Sequence, residues 1–207
     1  MDQALLKTYA RFAVRNAINV QKGQTLIINC PIEGAFFARM CAQEAYAAGA
    51  KDVVVHYADE RLSRIRMEGA EKAVLEDIKP WMVDRYMEYA QNPLDVCRLA
   101  IYAEDPEIYK GLDTQKVDAA NRAYSAALQP WRILSMANRM QWCVLSIPTE
   151  AWAVKVFPDK SPADAVESLW QAIFATSRMD AADPAAAWEA HIKTTAKRVD
   201  QLNAWRL

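Results

Sequence analysis

Two short apolar runs, Thr25-Leu-Ile-Ile-Asn-Cys30 and Asp52-Val-Val-Val-His56, flank a segment in which Phe37, Cys41 and Ala45 recur at every fourth position. A strand, a helix and a second strand in that order form a βαβ unit, with the strands parallel and the helix crossing one face. The boundaries are marked chemically. Pro31 has no N–H to give to a ladder, Glu33-Gly34 opens the helix, and Gly49 stands where a helix C-terminus asks for a left-handed residue. A chain with this unit is directed to an α/β fold on a parallel sheet.

The remaining segments extend the pattern. From Gln3 to Asn19 the apolar positions Leu5, Tyr9 and Phe12 predict an amphipathic helix. Glu60 to Asp77 reads as helical in pieces with a solvated charged face, and Trp81 to Gln91 as a further helix. Arg98–Ala103 and Gln141–Ile147 are the third and fourth strand candidates, the latter stopped by Pro148. Between them, Val117, Ala120, Tyr124, Leu128, Trp131 and Leu134 predict one helix over Asp113–Ala137. Ser161-Pro162 and Asp183-Pro184 each pair an N-cap residue with proline at the first helical position, so two helices close the chain. The expectation is a single α/β domain over 1–207, a mostly parallel sheet of about four strands covered by helices, with a C-terminal helical arm over 161–205. Trp170, Phe174, Trp188 and Trp205 on those closing helices are expected to form apolar surface awaiting a partner.

Composition narrows the function classes. With 207 residues, 53% hydrophobic and 25% charged, the chain can bury a sizeable core. A net charge of −1 and a pI near 6.2 supply no basic stripe for nucleic acid. No run approaches the roughly 18 apolar residues of a membrane span, and the acid at Asp2 is unlike a signal peptide. Cys30, Cys41, Cys97 and Cys143 share no CxxC spacing, which fits reduced thiols and a cytoplasmic setting.

In open parallel sheets ligands gather beyond the carboxyl ends of the strands. Cys30, before a helix N-terminus, and His56, ending a neighbouring strand, offer a thiol-imidazole pair; the competing reading is two structural residues without an orienting third group. His56 with Asp59 and Glu60 could ligate a metal, or simply be a loop entering a helix. The loop Asn29–Gly34 has one glycine, and its Glu33 would repel a pyrophosphate, which disfavours a dinucleotide. Trp188 and His191, at i and i+3, share a helix face, with a core or interdomain contact and a satisfied imidazole as the simpler role.

The run Ser146-Ile-Pro-Thr-Glu-Ala-Trp-Ala-Val-Lys-Val-Phe-Pro158 has two readings. In one, Pro148 ends a strand, Thr149 caps a short helix, and Trp152 and Phe157 pack. In the other, Thr149, Glu150 and Trp152 stand at the sheet's carboxyl edge next to a substrate. This S-x-P-T-x-x-W-A-x-x-V-F-P run resembles the first half of the aminopeptidase T, aminopeptidase S and aminopeptidase II family. Leu169-Trp170, Trp188, His191, Arg198 and Leu202-Asn203 continue the resemblance.

That resemblance implies a cytoplasmic, homo-oligomeric exopeptidase that releases N-terminal residues from peptide substrates. It also implies two divalent metal ions, Co, Zn or Mg, in the full-length enzyme. Their ligands and the catalytic carboxylate belong to motifs beyond Leu207, so no catalytic or metal-binding residue is carried over and this chain alone is expected to be inactive. Its implied part is to shape the substrate cavity and the dimer. Two alternatives use the same fold: a stand-alone, non-catalytic binding module, and a thiol enzyme on Cys30 and His56.

Overall fold

The computed structural model describes residues 2–205. Helix α1 (Gln3–Phe12), capped by the Asp2 carboxylate on the Ala4 N–H at 2.8 Å, runs into a π-turn over Ala13–Ala17. Strand β1 (Thr25–Pro31), a 3-10 turn over Ile32–Gly34, α2 (Ala35–Ala47) and β2 (Asp52–Ala58) then form the expected βαβ unit. Gly49 takes a φ of +95° after α2, which a residue with a Cβ rarely adopts. Next come α3 (Glu60–Gly69), α4 (Lys72–Glu76), α5 (Pro80–Ala90) and β3 (Val96–Tyr102). The chain continues through α6 (Thr114–Ala127), α7 (Gln129–Met136), β4 (Gln141–Ser146), α8 (Glu150–Val156), α9 (Pro162–Thr176) and α10 (Pro184–Ala204).

All strand pairs are parallel, in the order β2-β1-β3-β4. Because side chains alternate across a strand, each strand serves two layers. Leu26, Ile28 and Cys30 of β1, Cys97, Leu99 and Ile101 of β3, and Leu145 of β4 join α1, α2 and α9 in the main core. The opposite face carries a smaller cluster in which Trp131 and Met140 pack with Tyr86 and Met87 of α5 and Leu134 of α7. Gly34 shows how tightly the main core closes: a Cβ there would stand 2.7 Å from Cys30 Sγ and 2.8 Å from Ile147 Cδ1.

Three expectations change. The long helix predicted over Asp113–Ala137 is two helices, because Pro130 has no N–H for the ladder and stands instead in the first turn of α7, which begins at Gln129. Trp170 and Phe174 do not await a partner: both are 5% exposed, and their stacked rings, 5.2 Å apart, lie in the main core. Trp188 is partly buried, and Trp205 at 60% is exposed. The charged face of α3 is also not wholly solvated, since half-buried Arg64 donates to the Ile108 and Lys110 carbonyls. Among the described residues no helix is long and apolar enough to cross a membrane.

Candidate functional site

The sheet changes direction at β1: the chain leaves it for β2 on one side and returns as β3 on the other. Such a switch point opens a crevice beyond the strands' carboxyl ends. A cavity of about 220 Å³ lies there, lined by residues that include Asn29, His56, Glu60, Arg85, Tyr86 and Arg98.

The sheet register separates the proposed thiol pair. Asn29 stands opposite His56 and Cys30 opposite Tyr57, and successive residues point to opposite faces. Cys30 therefore enters the main core with Leu26 and Ile28, while His56 shares the other face with Asn29. The Cys30 thiol donates to the Pro31 carbonyl at 3.1 Å. Burial, reinforced by the charge of Glu33, pushes its pKa up to about 11, opposite to what a thiolate nucleophile needs. The thiol-enzyme reading fails on both counts.

His56 stacks on Tyr86 with ring centroids 5.6 Å apart and planes inclined by 23°. Burial, then the neighbouring Arg85 charge, holds its pKa below the ordinary histidine value, and its buried Nε2 has no hydrogen-bond partner. Arg85 donates to the Tyr86 hydroxyl at 2.9 Å. Arg98, a charged residue inside a mostly buried strand, donates from Nε to the Asn29 amide oxygen at 2.9 Å with that amide turned to satisfy both groups. Glu60 accepts from the Asp105 N–H at 2.9 Å, and burial above all raises its carboxyl pKa. The sequence singled out His56 and Glu60 but passed over both arginines; the charge in Val96-Cys-Arg-Leu-Ala-Ile was the signal available for Arg98.

A larger hollow of about 860 Å³ runs along β4 between α1, α9 and α10, walled by Tyr9, Phe12, Trp152, Leu169, Trp188 and Ile192 among others. Its walls are rigidly braced. The Tyr9 hydroxyl donates to the Ser146 carbonyl at 3.2 Å, and its ring meets Phe174 edge-on at 5.6 Å. Phe12 stacks on Trp188 at 6.2 Å, and Trp188 Nε1 donates to the Ser177 carbonyl at 2.8 Å. His191 contacts the Trp188 ring edge-on and lies 3.0 Å through Nδ1 from Arg178 Nη2, so its imidazole is satisfied as anticipated.

Of the three residues expected near a substrate, the hollow is lined by Trp152 alone. The ring is partly buried and packs on the main core, so it wets one side and anchors the other. Thr149 caps α8, its Oγ1 accepting from the Trp152 N–H at 3.2 Å. Glu150 is exposed in the first turn of α8, where a carboxylate complements the helix dipole.

Among the described residues no three His, Cys, Asp or Glu side chains gather closely enough to share a metal ion. His56, Asp59 and Glu60 therefore form no such centre, and Asp59 instead caps α3 by accepting from the Leu62 N–H at 3.0 Å. The described residues do not fit a resident metal.

The chain is similar in sequence and fold to known proteins. Aminopeptidase 2 of Geobacillus stearothermophilus is 38% identical over 198 residues, which are 96% of this chain and 48% of that protein. Aminopeptidase T of Thermus thermophilus is 34% identical over 97% of this chain and 49% of its own length. The structure of wild-type AmpT from the same organism superposes with a TM-score of 0.91 at 32% identity, covering 99% of this chain and 50% of that one. The chain thus spans about half the length of the curated relatives it matches. Residues 2–207 match the sequence profile of the thermophilic metalloproteases, M29, and the chain belongs to that family.

Proposed function

We propose that this chain is the N-terminal half of a metal-dependent aminopeptidase that releases N-terminal amino acids from peptides, and that it builds one wall of the substrate cavity. The observation that carries the reading is the half-length match to proteins named aminopeptidases. In this reading the braced apolar hollow beside β4 faces the catalytic half. Trp152 gives it a flat apolar surface suited to a substrate side chain, and Thr149 and Glu150 fix α8 beneath that ring. The metal ions, Co, Zn or Mg, belong to the other half; the enzyme is a cytoplasmic homo-oligomer; and α10, which buries none of its own residues, is the arm leading away from a single α/β domain.

The test is hydrolysis of amino-acid anilides with cobalt, zinc or magnesium added. The chain alone should be inert, whereas the chain joined to the second half of Geobacillus aminopeptidase 2 should turn over and stop with a chelator. Metal-dependent turnover by this chain alone would overturn the assignment. A second reading, a non-catalytic binding module of the same fold, is favoured by the burial of Trp170 and Phe174, which need no further half to cover them. A joined protein that folds but never turns over would select it.

A further inference from the structure

The cavity at the carboxyl ends of β1 to β3 gathers two arginines that the chain does not pair directly with a carboxylate. Arg85 from α5 and Arg98 from β3 both line it, and among the described residues neither has a carboxylate within ion-pair distance. Two buried nitrogens there, Arg85 Nε and His56 Nε2, have no hydrogen-bond partner. Buried polar groups left unpaired are rare and costly, so each asks for an acceptor or donor that the chain does not supply. We propose that this cavity binds one compact oxyanion, a carboxylate or a phosphate, held between Arg85, Arg98 and His56.

Guanidinium groups suit such a ligand because their planar N–H array matches two oxygens of a carboxylate or phosphate. Both are held in place beforehand: Arg98 by Asn29, and Arg85 by Tyr86, whose ring lies 4.7 Å from the guanidinium carbon. The volume of about 220 Å³ takes an acetate, an amino acid or an inorganic phosphate, and lies below the roughly 300 Å³ at which pockets for larger ligands begin. Glu60 from α3 and Glu104 after β3 line the same cavity. Their charge disfavours a polyanion and leaves room for a ligand that carries an ammonium beside its carboxylate.

His56 reports occupancy. It shares the cavity with Arg85 and Tyr86 from α5, Arg98 and Asn29 from the sheet, Glu60 from α3 and Glu104 after β3, and the Arg85 charge helps keep it neutral. An anion that offsets Arg85 lifts that repulsion, so binding raises the histidine pKa and takes up a proton.

The chain has two histidines, His56 and His191, which makes proton NMR titration direct. Acetate, glycine and inorganic phosphate are each added against chloride at fixed ionic strength. The expected result is a saturable rise in the His56 pKa with at least one oxyanion and none with chloride. Arg85→Gln and Arg98→Gln should each weaken the response by about tenfold or more, as loss of a charge-assisted bond does. Response to acetate and glycine names a carboxylate ligand, and response to phosphate alone a phosphoryl ligand. If His56 titrates identically in chloride and in all three oxyanions, the site does not exist. That comparison needs only the wild-type chain, so it decides the matter even where a variant fails to fold.

Discussion

Cys30 and His56 are neighbours on paper and strangers in the fold, because one residue of strand register sends them to opposite faces of the sheet. The Cys30 thiol is buried with its pKa pushed from the ordinary 9.0 to about 11, and Cys97, buried likewise, is pushed up to about 12. Iodoacetamide at neutral pH should therefore label half-buried Cys143 first and show no selective reaction at Cys30; preferential labelling of Cys30 would contradict the burial argument. The same thiols set an alkaline limit. A group whose folded pKa lies above its unfolded one adds stability at pH values below the unfolded pKa, and that stability is lost as pH climbs through the folded value. The thermal midpoint should hold up to about pH 9 and then fall through the window from 9.0 to about 11, less steeply in Cys30→Ala. Trp152 gives a second residue-scale prediction. A fully buried tryptophan truncated to alanine costs roughly 3–5 kcal/mol, but this ring is partly buried, with one side on the hollow. Trp152→Ala should cost about 2 kcal/mol in a denaturant titration. A loss of the full core magnitude would show the ring to be core and nothing else.

At the scale of elements, the strands and capped helices were legible because their signals are local. Ser161 and Asp183, each followed by proline, mark α9 and α10 to the residue, with Asp183 accepting from the Ala186 N–H at 3.0 Å. The apolar runs became β1 to β4 in one parallel sheet, and the central pair β1 and β3 bury both faces. What escaped was set by tertiary context. Periodicity carried one helix across Leu128, since the apolar stripe continues although Pro130 breaks the ladder. Arg98 and Arg85 escaped because nothing local says that α5 and the strand that follows it turn their arginines into one cavity. Burial of Trp170 and Phe174 followed from α9 folding back along α8 and onto Tyr9 of α1, which pattern alone does not reveal. The motif around Thr149 was read with its cap intact, and the cap can be weighed. α8 has seven residues, too short to persist on propensity, so its stability rests on packing and on Thr149. Thr149→Ala should cost about 1 kcal/mol and Thr149→Ser almost nothing. Equal losses in both would mean that the methyl group, and not the hydroxyl, holds the helix.

Across the whole molecule, the four-stranded sheet is covered unequally. Strands of parallel sheets ordinarily have both faces buried by crossover helices, yet β4 is an edge strand whose Trp142 and Val144, paired in register with Arg98 and Ala100, are each 49% exposed. The expectation of apolar surface awaiting a partner therefore moves from α9, whose aromatic rings are spent in the core, to the outer strand. An edge strand also presents backbone N–H and C=O groups along its length, and the apolar hollow follows the same strand. Native proteins protect such edges with charges, bulges or a covering segment, and exposed Trp142 and Val144 are neither charged nor covered. The chain by itself should self-associate at low micromolar concentration in sedimentation velocity. Replacing both residues, Trp142→Lys with Val144→Lys, should shift it toward monomer without lowering its denaturation midpoint by more than about 1 kcal/mol, since exposed side chains contribute little to the fold. In the chain joined to a catalytic half, the same double substitution discriminates further. If that half covers β4, the lysines weaken the joint between halves and anilide turnover falls; if a second copy covers it, turnover persists while the oligomer dissociates. A chain that sediments as a monomer before any substitution would mean that Trp142 and Val144 are tolerated in water, and that the surface read here as an interface is not one.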